Sequence, residues 1–130
     1  MPSLSVRGEE GDRLAVAVRD HVVYVDQPVE DGGADTAPTP VELFVASLAA
    51  CVAHYARWYL RRHDLPTEGL HVAASWETAT RPARVSSVEL SVTVPEGIAD
   101  DRRERMLAVI SHCTVHNSIT HTPDIRLVLA

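Results

Sequence analysis

Two cysteines, Cys51 and Cys113, are the residues of this chain best suited to redox or nucleophilic chemistry. Cys51 sits inside the apolar stretch Thr39–Leu60, TPVELFVASLAACVAHYARWYL, and Cys113 follows much later in SHCTVHN. The thiolate is the reactive form of cysteine, and apolar surroundings raise a thiol's pKa. Cys51 lies about three turns into its helix, beyond the first turn where a helix dipole acts. To react, it needs an Arg, a His or a partner chain to hold the thiolate. Cys113 stands at a break between elements, and mobility there suits a resolving thiol that captures a sulfenic acid. Two inert, buried thiols are the alternative, and the residues alone leave both readings open.

Histidines accompany both thiols. His54 is three residues after Cys51 on the same helical face, while His112 and His116 bracket Cys113. A Cys/His set of this kind can bind zinc, but the spacing is not that of a knuckle, and no metal site is expected. His54 is read as a core or pocket histidine able to help hold Cys51 as thiolate. Tyr55, Trp58 and Tyr59 are read as core or dimer contacts, and Asn117 as a cap for a short helix after Cys113.

Several elements must position these groups. Residues 3–26 contain the short run LSVR, then RLAVAV with Leu14, Val16 and Val18 on one parity, then HVVYVD, which predicts an antiparallel meander. DQPVEDGGADTAPTP is a loop by its Pro, Gly and Asp content. Thr39, Pro40 and Glu42 form a capping-box pattern that starts a long helix. Val41, Phe44, Val45, Leu48, Cys51, Val52, Tyr55, Trp58 and Tyr59 then recur at helical spacing, and RRHDLPTEG ends it. GLHVAASWE and VSSVELSVTVP predict two strands joined by TATRPAR. Asp100 or Asp101 opens a second helix with Met106, Leu107, Val109 and Ile110 facing in. TVHNSIT predicts a short helix, and DIRLVL a final strand. The order implies an α+β fold with mostly antiparallel strands and one long central helix.

The chain has 130 residues, which fits one domain, residues 1–130. Its net charge of −6 argues against nucleic acid, whose binders carry basic patches. The start, MPSLSVRGEE, lacks the pattern of a signal peptide. The apolar run Val41–Ala56 is shorter than the roughly 20 residues of a membrane span, so no membrane association is expected and the expected location is cytoplasmic. There a structural disulfide is uncommon, and paired thiols are more often catalytic or redox-active.

GGADTAPTPVELFVASLAAC followed by CTVHNSI resembles the OsmC/Ohr family. That family has a Pro-x-Glu-Leu lead into a helix, a cysteine eight residues after that Leu, and a late Cys-x-Val-x-Asn segment. The resemblance covers nearly the whole chain. It implies an OsmC-like fold, an intertwined homodimer with two sites at the subunit interface, and a thiol-dependent peroxidase for organic hydroperoxides. Cys51 matches the peroxidatic cysteine and Cys113 the resolving cysteine, with closure of a Cys51–Cys113 disulfide. A small dithiol of the lipoyl type would be the reductant, and no bound cofactor is implied.

One departure from the family is plain. Its peroxidases pair a Glu and an Arg beside the sulfur, and that Glu lies ten residues before the cysteine, where this chain has Val41. Glu42 is nine before, about 180° round the helix from Cys51. It is a candidate for the partner's site across the dimer, with the capping-box role as the alternative. Arg13, near the first turn where one branch keeps its Arg, is the candidate cation. The alternative to a peroxidase is an OsmC-like protein without that activity, binding a small hydrophobic ligand or sensing redox state.

Overall fold

The computed structural model describes residues 1–130. The chain forms two compact units, residues 1–44 and residues 45–130. All of the excess negative charge lies in the first, which holds nine acidic residues against three arginines; the second is balanced at nine of each.

In the first unit, β1 (Ser5–Gly8), β2 (Leu14–Val18) and β3 (His21–Val25) pair antiparallel in the order β1-β2-β3. Val6, Val16 and Val23 stand in line across the three strands. The alternation of Leu14, Val16 and Val18 leaves these side chains half-buried, while the opposite parity supplies the fully buried Ala15. Val6, Val22 and Val23 are exposed. The loop after β3 contains a 3₁₀ turn over Val29–Asp31 and folds back on Asp26. Gly33 is required there, because a Cβ at this position would overlap the backbone of Gln27.

The long helix α1 (Pro40–Arg62) begins at the expected residues. The Thr39 hydroxyl accepts from the Glu42 N–H at 3.1 Å, and the Glu42 carboxylate accepts from the Thr39 N–H at 2.9 Å. This reciprocal pair satisfies two otherwise orphaned donors. The other end closes as a Schellman motif. Leu65 N–H bonds Leu60 carbonyl at 2.8 Å, Asp64 N–H bonds Arg61 carbonyl at 3.2 Å, and Asp64 takes a left-handed φ of 54°. At 23 residues α1 is long and apolar enough to cross a membrane by length and composition. Its buried stripe of Val45, Leu48, Val52, Ala56, Tyr59 and Leu60 is that of a core helix.

In the second unit, β4 (His71–Ala79) and β5 (Arg84–Thr93) form a separate antiparallel hairpin, with an irregularity between Glu77 and Thr78. Val72 opposes Val92, Ala74 opposes Leu90 and Trp76 opposes Val88. Val72, Val88, Leu90 and Val92 pack against a core of Leu48, Val52, Ala56, Tyr59, Leu60, Ile98, Met106, Ile110 and Cys113. Helix α2 spans Asp100–Ile110, and α3 spans Thr114–Thr120. Met106 and Ile110 face in as expected, but Leu107 is 60% exposed. It lies one residue past Met106, about 100° further round the helix.

The expected final strand does not form. Residues 121–130 have no regular structure, and Ile125, Leu127, Val128 and Leu129 are exposed. Strand formation needs a free edge to pair with, and the segment pairs with neither sheet. The fold is thus α+β, with two antiparallel sheets and three helices.

Candidate thiol site

Cys51 lies in the middle of α1, on the edge of its buried stripe, and is partly exposed. Cys113 precedes α3 in extended conformation (φ −67°, ψ 156°) and is fully buried. Cys51 packs against the buried cluster that contains Cys113, close enough for the two thiols to influence each other, and both are free. Burial is the main effect that pushes the Cys113 thiol above its ordinary pKa. The His116 N–H opposes this by donating to the sulfur, and the neighbouring Cys51 adds to the rise. Apolar packing therefore keeps the inner thiol protonated at neutral pH.

The local sequence explains the Cys113 geometry. Cys113 is the N-cap of α3, with Sγ accepting from the His116 N–H at 3.4 Å. Asn117 does not take the capping role expected of it. It lies inside α3 and donates through Nδ2 to the His112 carbonyl at 3.2 Å. The His116 ring bonds through Nδ1 to the Ser111 carbonyl at 2.8 Å. A carbonyl only accepts, so this nitrogen carries the proton. Helix α3 and residues 111–113 are thereby cross-linked into one small body. Tyr55, one turn after Cys51, reaches it from α1: its hydroxyl lies 2.7 Å from Thr114 Oγ1.

His54, Glu42 and Arg13 make no hydrogen bond to either thiol. His54 is exposed, stands edge-on to the Tyr55 ring at 5.7 Å, and makes no hydrogen bond to Cys51. It lines two adjoining surface depressions of about 360 and 410 Å³ together with Arg57 and Arg61. These are basic hollows, whereas the expected surroundings of Cys51 are apolar. The histidines and cysteines do not converge as a set of metal ligands. Glu42 is engaged in the capping box at the start of α1.

Arg13 is held within the first unit. Its Nε bonds Glu9 at 3.0 Å, its Nη1 donates to Thr36 Oγ1 at 2.9 Å, and its guanidinium lies over the Tyr24 ring at 4.0 Å. Thr36 Oγ1 in turn donates to Asp26 at 2.6 Å. Asp26 is buried and also accepts from the backbone of Thr36 and Gln27. The Thr36 hydroxyl bond is the largest of the effects that lower the Asp26 pKa to about 2. Nothing in the sequence marked this Arg13–Thr36–Asp26 chain, because its members come from three separate segments. The signal for Tyr55 and Thr114 was equally faint, since the pair is joined only by the packing of α3 on α1.

The family model for OsmC-like proteins matches residues 32–128. Solved structures share the fold. An osmotic-stress-induced and detoxification-response protein from Psychrobacter arcticus 273-4 is 22% identical, with TM-score 0.84, over 91% of this chain and 88% of that one. An organic hydroperoxide resistance protein OsmC from Legionella pneumophila is 21% identical, with TM-score 0.68, over 90% and 88%. A structure described as an organic hydroperoxide resistance protein from Vibrio cholerae, with captopril in one of its active sites, is 21% identical, with TM-score 0.69, over 92% and 85%. No curated protein sequence matches the chain.

Proposed function

Since the chain belongs to the OsmC-like protein family, we propose that it is a thiol-dependent peroxidase for organic hydroperoxides, with Cys51 and Cys113 as its redox pair. The observation that carries this reading is that a partly exposed thiol packs against the buried cluster holding the second, fully buried one, with both free. Cys51 is the thiol an oxidant can reach. Its thiolate attacks the terminal peroxide oxygen, the O–O bond breaks, and the departing alkoxide takes a proton to leave as the alcohol. Cys51 is then a sulfenic acid. Cys113 attacks that sulfur, the S–O bond breaks, and the hydroxyl leaves as water with the proton from Cys113. The product is a Cys51–Cys113 disulfide, which a small dithiol such as a lipoyl group reduces by exchange.

The active form is a homodimer in this reading. Support comes from the apolar side chains each unit leaves in water, among them Val6, Val22, Val23, Phe44 and Trp58. Exposed apolar surface of this kind marks interaction sites, and a unit of about 44 residues has little core of its own. Glu42 and Arg13 have intramolecular partners, so their assignment to a partner's thiol requires those bonds to exchange. The basic residues that line hollows beside the Cys51 turn are instead His54 and Arg57.

A second reading is an OsmC-like protein without peroxidase activity that binds a small hydrophobic ligand or senses redox state. Val41 at the position of the family's glutamate favours it, as does the engagement of Glu42 in the capping box. Thiol counting after mixing reduced protein with cumene hydroperoxide separates the two. The peroxidase loses both thiols rapidly, keeps its single remaining thiol as Cys51→Ser, and reacts more slowly with hydrogen peroxide. Retention of both thiols refutes the peroxidase reading.

A further inference from the structure

The hydroxyl of Tyr55 and that of Thr114 lie 2.7 Å apart although 59 residues separate them in sequence. Tyr55 is four residues after Cys51, so the two side chains share one face of α1, about 6 Å apart along the axis. Thr114 is the residue after Cys113 and the first of α3. The bond therefore joins the helix that carries one thiol to the segment that carries the other, immediately beside both.

What it holds is a pre-assembled body. Asn117 reaches back to the His112 carbonyl, the His116 ring to the Ser111 carbonyl, and the His116 N–H to the Cys113 sulfur. These three bonds fix residues 111–113 to α3 but none of them fixes that body to α1. The apolar packing of Cys113 and Val115 resists separation from the core, yet apolar contact is non-directional and tolerates sliding. A short hydroxyl–hydroxyl bond fixes register.

We infer that Tyr55 is a positioning residue for disulfide closure, acting through Thr114 to keep Cys113 beside Cys51. This rests on the reading that these two thiols form a disulfide. In the closing step the Cys113 sulfur forms a bond to the Cys51 sulfenic sulfur while the S–O bond breaks and water leaves. The Cys51 sulfur is reduced and the Cys113 sulfur oxidised. Holding the two reactants in place raises the effective concentration of the thiol, and loss of one positioning contact lowers it. The first oxidation of Cys51 by peroxide does not involve Cys113 and is independent of the Tyr55 hydroxyl.

The test uses Tyr55→Phe and Thr114→Val, each of which removes one hydroxyl with little change in shape, and Thr114→Ser, which restores it. Two readouts are taken on the full-length chain. The first is stopped-flow reaction with cumene hydroperoxide, with dimedone trapping of the sulfenic acid. The second is the equilibrium between dithiol and disulfide in oxidised and reduced glutathione, which needs no peroxidase activity. Tyr55→Phe and Thr114→Val are each expected to slow closure about three- to tenfold, the factor one neutral hydrogen bond carries, and to shift the glutathione equilibrium toward the dithiol by a similar factor. The rate of sulfenic acid formation is unchanged, more of it is trapped, and Thr114→Ser behaves as the unaltered protein. A merely structural tie would lower thermal stability in both variants and leave the two redox readouts as they were; that result overturns the assignment. So does absence of any disulfide in the unaltered protein in glutathione. If the glutathione shift appears but cumene hydroperoxide oxidises neither thiol, the peroxidase reading fails and the role of Tyr55 stands.

Discussion

The backbone N–H of His116 points at the sulfur of Cys113 from 3.4 Å, so the second thiol is also the N-cap of α3. Serine is among the favoured N-cap residues, and alanine offers no acceptor. Cys113→Ser keeps an acceptor for the His116 N–H but buries a hydroxyl among apolar neighbours, and Cys113→Ala loses the cap, so each is expected to be less stable by about 1 kcal/mol or more. Thermal denaturation under reducing conditions checks both.

The raised Cys113 pKa has two consequences with pH. Closure of the disulfide requires the Cys113 thiolate, whose share grows about tenfold per pH unit below its pKa. The closing rate measured by stopped flow should therefore climb steadily from neutral pH into the alkaline range. Stability follows the opposite course. A group whose folded pKa is raised contributes fully below its unfolded pKa, and that contribution is lost as pH rises through the folded value. Urea midpoints should fall above about pH 8.5, the ordinary thiol value, and Cys113→Ser should remove this part of the decline.

Asp26 works in the acid range. Its folded pKa of about 2 lies below the ordinary carboxylate value because Thr36 and Gln27 bond its charged form. Its stabilising effect is present above about pH 4, the unfolded value, and is lost as pH falls toward 2. Asp26→Asn should lower the urea midpoint at pH 6 and make it less sensitive to acid, because an amide nitrogen cannot accept the bonds Thr36 donates. An equal acid dependence in the variant would assign the effect to other carboxylates.

Asp64 sits at the left-handed position that closes α1, with φ of 54°. Glycine adopts this conformation without steric penalty, and an acidic side chain at a helix C-terminus meets the negative end of its dipole. Asp64→Gly is expected to stabilise the protein by about 0.5–1 kcal/mol. A loss of stability in urea denaturation would mean that the Asp64 side chain makes a compensating contact.

The elements defined by local chemistry were readable in the residues. Thr39, Pro40 and Glu42 announced the start of α1, and TVHNSIT matches α3 (Thr114–Thr120). The meander over 3–26 and the hairpin of β4 and β5 followed from alternation and turn residues. Features that depend on tertiary packing were not readable. Cysteine is not a favoured capping residue, so the residues alone point to Asn117 and not to Cys113 as the cap of α3. DIRLVL alternates like a strand, but alternation cannot supply an edge to pair with. Family resemblance named Cys51 and Cys113 as partners; it had nothing to say about Tyr55 and Thr114, whose contact spans 59 residues.

The unequal accessibility of the two sulfurs also governs what becomes of unwanted adducts. Small disulfides dissolved around the protein can exchange with Cys51, since it shows surface to solvent, and not directly with Cys113, which shows none. Any such adduct is then formed within reach of an interior thiol able to expel it. The burial that slows the inner sulfur thereby equips the outer one with a built-in means of clearing itself, and blockage by foreign thiols should be short-lived.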